Sequence, residues 1–232
     1  MKKFKYLVKK HLLKYTVRYV SKNKILATVL LPSEKEALKH LRYGFLYDKG
    51  WWKSWETKSP LDLDSKALPW VTYSFIDFIE NRLNKNMIIF EYGSGNSTIY
   101  YSSKVKKVYT VEHDIDWFNK VSQTLPKNVM IENVELEYGG EYSLTSQKKD
   151  LKFDVIIVDG RDRVNCIINS IESLKDNGVL ILDDSERISY QLGIDKLKED
   201  GFKSLDFWGI SPGLFYKKCT SVYYKNPNVL DI

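Results

Sequence analysis

The sequence is poor in the residues that build covalent or metal cross-links. It has two cysteines, Cys166 and Cys219, far apart and outside any CxxC pair. That excludes a disulfide framework and points to a reducing, cytoplasmic setting. Its three histidines, His11, His40 and His113, have no zinc-ligand spacing. No apolar run approaches the ~20 residues that a membrane-spanning helix needs; "ILATVLLP", Ile25 to Pro32, is far too short. Acidic residues are missing altogether before Glu34.

That last absence decides how the charge is read. The formal net charge is +6, but the first 33 residues carry nine lysines and arginines unopposed. The remainder holds 27 basic against 30 acidic residues, a net −3. The basic character therefore belongs to an N-terminal arm. The mildly acidic body, with no basic stripe, argues against a nucleic-acid substrate. Within residues 1–24, Phe4, Leu7, Val8, Leu12, Tyr15 and Tyr19 recur at helical spacing among lysines. This predicts a basic amphipathic helix, either packed on the domain or in peripheral contact with an anionic membrane surface.

What the chain has in quantity is strand–helix alternation. Ser33 and Glu36 fit a capping box, with a helix expected to about Leu46. A turn-rich connection follows with Trp51, Trp52, Trp55 and Trp70, aromatics for a core or for a substrate pocket. Pro69 opens an expected helix to about Leu83. The apolar runs "MIIFEY", "FDVIIV" and "GVLILDD" read as strands covered on both faces. Between them lie "KVYTVE", a strand over 129–134, and helices over 97–103, 114–125 and 164–175, the last ended by Asn177-Gly178. Residues 138–152 read as a polar loop. A helix over 188–199 precedes two strand-like pieces, "FKSLDFWG" and "TSVYYKN". The pattern predicts a Rossmann-like, doubly wound α/β fold: a mostly parallel seven-stranded sheet with an antiparallel edge, plus N-terminal helices. Residues 1–67 form an expected N-terminal arm and Trp-rich connection, and 68–232 the main domain.

In such a sheet ligands bind beyond the carboxyl ends of the strands. Those ends carry Glu91 with Gly93-Ser94-Gly95, then Glu112-His113, Asp159-Gly160 and Asp183-Asp184. Glycines after the first strand let the backbone approach a ligand. Glu112, at the end of the next strand, is placed to accept hydrogen bonds from both hydroxyls of a ribose. Together they indicate an adenosyl nucleotide, either NAD or S-adenosylmethionine. Thr98 stands where the dinucleotide motif needs its third glycine, and a carboxylate at Glu91 would repel a pyrophosphate. Both details favour S-adenosylmethionine over the alternative of an NAD-dependent oxidoreductase.

"FEYGSGNST", "VYTVEHD", "FDVIIVDGRDR" and "GVLILDDSER" resemble successive motifs of the class I S-adenosylmethionine-dependent methyltransferases, most closely a bacterial group with GSGNST and VDGRxR segments. The resemblance runs from about Leu68 to Lys225. It implies a cofactor site of Glu91, Tyr92, Gly93, Ser94, Gly95, Ser97, Thr98, Glu112, His113, Asp159 and Gly160. In it the loop holds the methionyl part, Glu112 the ribose and His113 the adenosine. The implied activity is methyl transfer to a small-molecule or glycan-type acceptor, at oxygen, with Asp159 and Asp183 as candidate catalytic acids. Asp159, Asp183 and Asp184 also resemble the divalent-metal acids of catechol-type O-methyltransferases. Those enzymes carry a lysine three residues after the first acid, where this chain has Asp162, so a metal is not favoured. A non-catalytic module docking through the basic arm is the third reading.

Overall fold

A computed structural model describes residues 43–232, together with Ser33, Glu36 and His40. The expected basic helix over 1–24 lies outside the described residues, as does most of the helix expected over 33–46.

The described chain runs α1 (Phe45–Asp48), α2 (Trp51–Thr57), α3 (Tyr73–Ile79), β1 (Ile88–Tyr92), α4 (Asn96–Lys104), β2 (Lys107–Glu112), α5 (Ile115–Ser122), β3 (Val129–Asn133), α6 (Glu141–Leu144), β4 (Phe153–Val158), α7 (Arg163–Ser170), β5 (Leu174–Asp183), α8 (Gln191–Glu199), β6 (Lys203–Gly209) and β7 (Lys218–Tyr224). The strands form one seven-stranded sheet in the order β3-β2-β1-β4-β5-β7-β6. β1 to β5 are mutually parallel where they pair, and β7 runs antiparallel to both β5 and β6. The expected antiparallel edge is thus a strand pair, with β7 inside and β6 outermost.

Alternation along the central strands explains why both faces are covered. Val155 and Ile157 of β4, with Val179 and Ile181 of β5, join the core under α2, α3 and α4. Phe153, Ile156 and Val158, with Leu180 and Leu182, join the core under α7 and α8. Continuous apolar runs are what this period-2 division between two buried faces requires.

Three expectations need correction. The helix expected from Pro69 to Leu83 is only Tyr73–Ile79, because the preceding chain is held elsewhere. Trp70 Nε1 donates to Pro212 O at 2.7 Å, and Thr72 Oγ1 to Phe207 O at 3.1 Å. The helix expected to Lys175 ends at Ser170, and Leu174 already belongs to β5, which contains Asn177-Gly178. The β4–β5 register shifts between Phe153 and Val155 there; those polar residues belong to a sheet irregularity. The "polar loop" of 138–152 is packed: it includes α6, and Tyr142 is fully buried.

Trp51 is also fully buried and shares the core with Val71, Phe75 and Val222. Its ring stacks on Trp55 at 5.5 Å and meets Phe215 at 4.1 Å, and its indole N–H donates to Leu214 O at 2.9 Å. Of the Trp51/Trp52/Trp55 cluster, Trp51 is a core residue. Trp51→Ala is expected to cost about 3–5 kcal/mol of stability, read by urea denaturation.

Candidate functional site

β1, β2, β4 and β5 end together, since Tyr92 pairs with Val111 and with Val158, and Val158 with Leu182. Glu91, Glu112, Asp159 and Asp183 are therefore brought to one edge of the sheet. Tyr92, also named from the sequence, does not present its side chain there: its ring lies in the core and its hydroxyl donates to Ser143 O at 2.8 Å and Ser146 Oγ at 2.9 Å.

The glycine turn is forced by close approach. Gly93 has φ +94°, and a Cβ on it would lie 3.1 Å from Gly160 Cα. A Cβ on Gly160 would lie 2.1 Å from the Tyr142 hydroxyl and 2.9 Å from Gly93 N. Two backbones thus pass side by side where a side chain on either would collide. Gly93 N donates to Val111 O at 2.9 Å and Thr110 Oγ1 to Gly93 O at 2.6 Å, which fixes the turn against β2.

Glu112 is bonded from both sides of this turn. Its Oε2 accepts from Ser94 N at 3.2 Å and Ser94 Oγ at 2.9 Å, and its Oε1 from His113 N at 2.9 Å and Asp114 N at 3.1 Å. His113 Nδ1 lies 2.9 Å from Oε1. Trp117, on α5, donates its indole N–H to Ser94 O at 2.9 Å.

Glu91 is 1 % exposed. Thr98 Oγ1 donates to its Oε2 at 2.6 Å and accepts from Gly95 N at 3.0 Å. Burial pushes the Glu91 carboxyl up to about 8; hydrogen bonds from Ser97 and Thr98 pull the other way, and Asp159 and Glu112 add to the rise. Asn96 opens α4 with its amide donated to Ser59 Oγ at 2.9 Å and Pro60 O at 2.8 Å. The Trp-rich connection therefore borders the glycine turn on one side.

On the other side Asp159, Asp183 and Asp184 meet three cations. Arg163, buried in α7, donates to Asp159 Oδ1 at 2.9 Å, to Gly160 O at 3.1 Å and to Asp183 O. Lys218 of β7 reaches Asp183 Oδ2 at 2.5 Å and Asp184 Oδ1 at 2.7 Å. Arg187 reaches Asp184 Oδ2 at 2.5 Å, and Thr220 Oγ1 donates to Asp183 Oδ1 at 2.8 Å. Burial raises the proton affinity of both Asp159 and Asp183; Asp184 adds to the rise at both and Asp159 adds to it at Asp183, while Arg163 and Lys218 oppose it.

The carboxylates named as metal candidates have protein partners: the oxygens of Asp183 face Lys218 and Thr220, those of Asp184 face Lys218 and Arg187, and Oδ1 of Asp159 faces Arg163. Asp162, the departure noted in the sequence, accepts from Gly139 N at 2.7 Å and Asn165 Nδ2 at 2.8 Å, pinning the preceding loop. Arg163 and Lys218 are the functional-site residues that sequence reasoning left unassigned or missed. A lysine opening the otherwise buried strand "KCTSVYY" was the available signal.

No protein-family model matches the chain, and no curated protein sequence matches it. Solved structures do. An rRNA methylase from Streptococcus thermophilus superposes with a TM-score of 0.51 at 18% identity, over 64% of this chain and 92% of that one. A precorrin-6y C5,15-methyltransferase from Geobacter metallireducens gives 0.51 at 14%, over 66% and 87%. The chain shares the Rossmann-like α/β fold of these structures. A spermidine synthase from Thermotoga maritima also scores 0.51, at 14% identity over 64% and 56%. The fold thus carries more than one chemistry, and function has to be argued from the site.

Glu91 sets a pH dependence. Its folded-state proton affinity exceeds that of an unfolded glutamate, near ~4.3. Its contribution to stability is therefore full below that value and is lost as pH rises through about 8. Glu91→Gln, which keeps the Thr98 contact without the charge, is expected to flatten this loss. Thermal melts across that window should show the variant more stable than wild type at the alkaline end.

Proposed function

We propose that the protein is an S-adenosylmethionine-dependent methyltransferase acting on a hydroxyl of a small-molecule or glycan-type acceptor. The observation that carries the reading is Glu112. A carboxylate at the end of β2, bonded to the amide and hydroxyl of Ser94 in the glycine turn, is the arrangement a ribose diol recognises. Gly95 supports it: a Cβ there would meet only Trp117 Cζ2, at 3.6 Å, so the turn leaves room beside Ser94.

In this reading Glu91 to Gly95, with Ser97 and Thr98, hold the methionyl part. Glu112 takes the ribose, the Ser94 hydroxyl giving up its bond, and His113 borders the adenosine. Bound S-adenosylmethionine supplies an electrophilic methyl group. Asp159, whose side chain is the more exposed of the two, orients the acceptor hydroxyl and takes its proton with Asp183 behind it, at a rate gained through positioning and general-base assistance. The exposed aromatics Trp55, Phe215 and Tyr216 suit the acceptor side. The two neighbours named for rRNA and precorrin span acceptors of very different size, so acceptor class rests on the site's own chemistry. For residues 1–24 two roles suit the basic amphipathic pattern, packing on the domain or peripheral contact with an anionic membrane surface. Among the described residues no helix is long and apolar enough to cross a membrane.

Calorimetry with S-adenosylhomocysteine tests the reading. Wild type is expected to bind, and Glu112→Ala to bind at least tenfold more weakly, since a hydrogen bond to a charged group contributes ~1.5–3 kcal/mol. Ser94→Ala is expected to bind as well as wild type or better, because no hydroxyl competes for Glu112. Absence of binding by wild type, or tight NADH binding in its place, would overturn it.

A further inference from the structure

Lys218 is nearly fully buried at the start of β7. Its ammonium has three oxygen partners: Asp183 Oδ2 at 2.5 Å, Asp184 Oδ1 at 2.7 Å and Trp70 O at 3.2 Å. An ammonium has three donors, so its capacity is filled. The partners come from different parts of the fold. Asp183 ends β5 and Asp184 follows it, whereas Trp70 belongs to the segment that approaches the β6–β7 loop through its bond to Pro212 O. Thr220, two residues along β7, donates to the second oxygen of Asp183 and accepts from Thr72 N at 3.2 Å.

We propose that Lys218 is a positioning residue of the acceptor site, fixing the orientation and the charge of Asp183 and locking both to the Trp70 segment. The inference rests on the reading of Asp159 and Asp183 as acceptor-side acids. When an acceptor hydroxyl gives up its proton, that proton passes to a carboxylate oxygen of the Asp159/Asp183 pair, and Lys218 keeps its own. A lysine suits this task because its neighbours hold it charged: burial opposes the charge, but Asp183, Asp159 and Asp184 outweigh burial. The groups facing Asp183 are Asp159 and Arg163 from the β4–α7 turn, Asp184, Lys218 and Thr220 from β7, and Tyr101 from α4. Of the two cations, Lys218 bonds the Asp183 carboxylate itself, whereas Arg163 bonds its backbone carbonyl.

Infrared titration of the protein alone tests this. Wild type is expected to show a protonated-carboxyl C=O band that Asp183→Asn removes. In Lys218→Met that band should persist to a pH about one to three units higher, the range by which a nearby opposite charge shifts a carboxyl. Lys218→Arg should return the midpoint toward wild type. If Lys218→Met does not fold, Lys218→Gln, which keeps a donor at the site without the charge, is titrated in its place with the same expectation. An unchanged midpoint in the methionine variant, or a band indifferent to Asp183→Asn, overturns the proposal. S-adenosylhomocysteine calorimetry on the same proteins separates the two readings: wild type that fails to bind ligand removes the methyltransferase, while the infrared midpoints still decide the coupling of Lys218 to Asp183.

Discussion

Desolvation of carboxylates is the constraint on which the carboxyl edge of this sheet depends. Parallel strands carry Glu91, Glu112 and Asp183 at or next to their last positions, all buried. A buried carboxylate must be hydrogen-bonded, paired or protonated. Each acid meets that demand differently. Glu112 collects backbone amides and the Ser94 hydroxyl, Glu91 relies on hydroxyls and raised proton affinity, and Asp183 uses Lys218 and Thr220. The glycine turn, the start of α4 and the start of β7 are all organised by these obligations.

The division between the two sides of the edge follows from the same physics. Glu112 has backbone donors and one displaceable hydroxyl, the environment of a carboxylate that exchanges partners with a neutral ligand. Asp183 and Asp184 have full-charge partners in fixed positions, the environment of groups that do not let go. In the proposed function the first set meets a cofactor diol and the second a reacting hydroxyl, and the two demands differ in the same way.

The fold was legible in the sequence because its strongest signals are local. Apolar runs such as "FDVIIV" and the Gly93-Ser94-Gly95 turn with Glu112 on the next strand are read within about twenty residues. The misreadings were tertiary. Asn177-Gly178 has helix-ending chemistry but sits in β5, where pairing with β4 overrides local preference. Tyr142 lies in a polar stretch, yet its ring fills the space beside Tyr92 and His113. Lys218 lies 35 residues from Asp183, and no local pattern announces that pair. The candidate site was readable where one turn builds it and hidden where separate segments meet.

That contrast has a consequence for the order in which the site comes into being. The glycine turn is made from neighbours in the chain: Ser94 and Glu112 are 18 residues apart, Thr98 and Glu91 seven. The opposite wall joins Trp51 to Leu214 and Trp70 to Pro212, across 163 and 142 residues. Loop closure makes contacts of such separation late and entropically costly. A chain emerging from synthesis holds every residue of the glycine turn and its carboxylate partners long before residue 212 exists. The wall over the acid cluster closes last, with the arrival of β7.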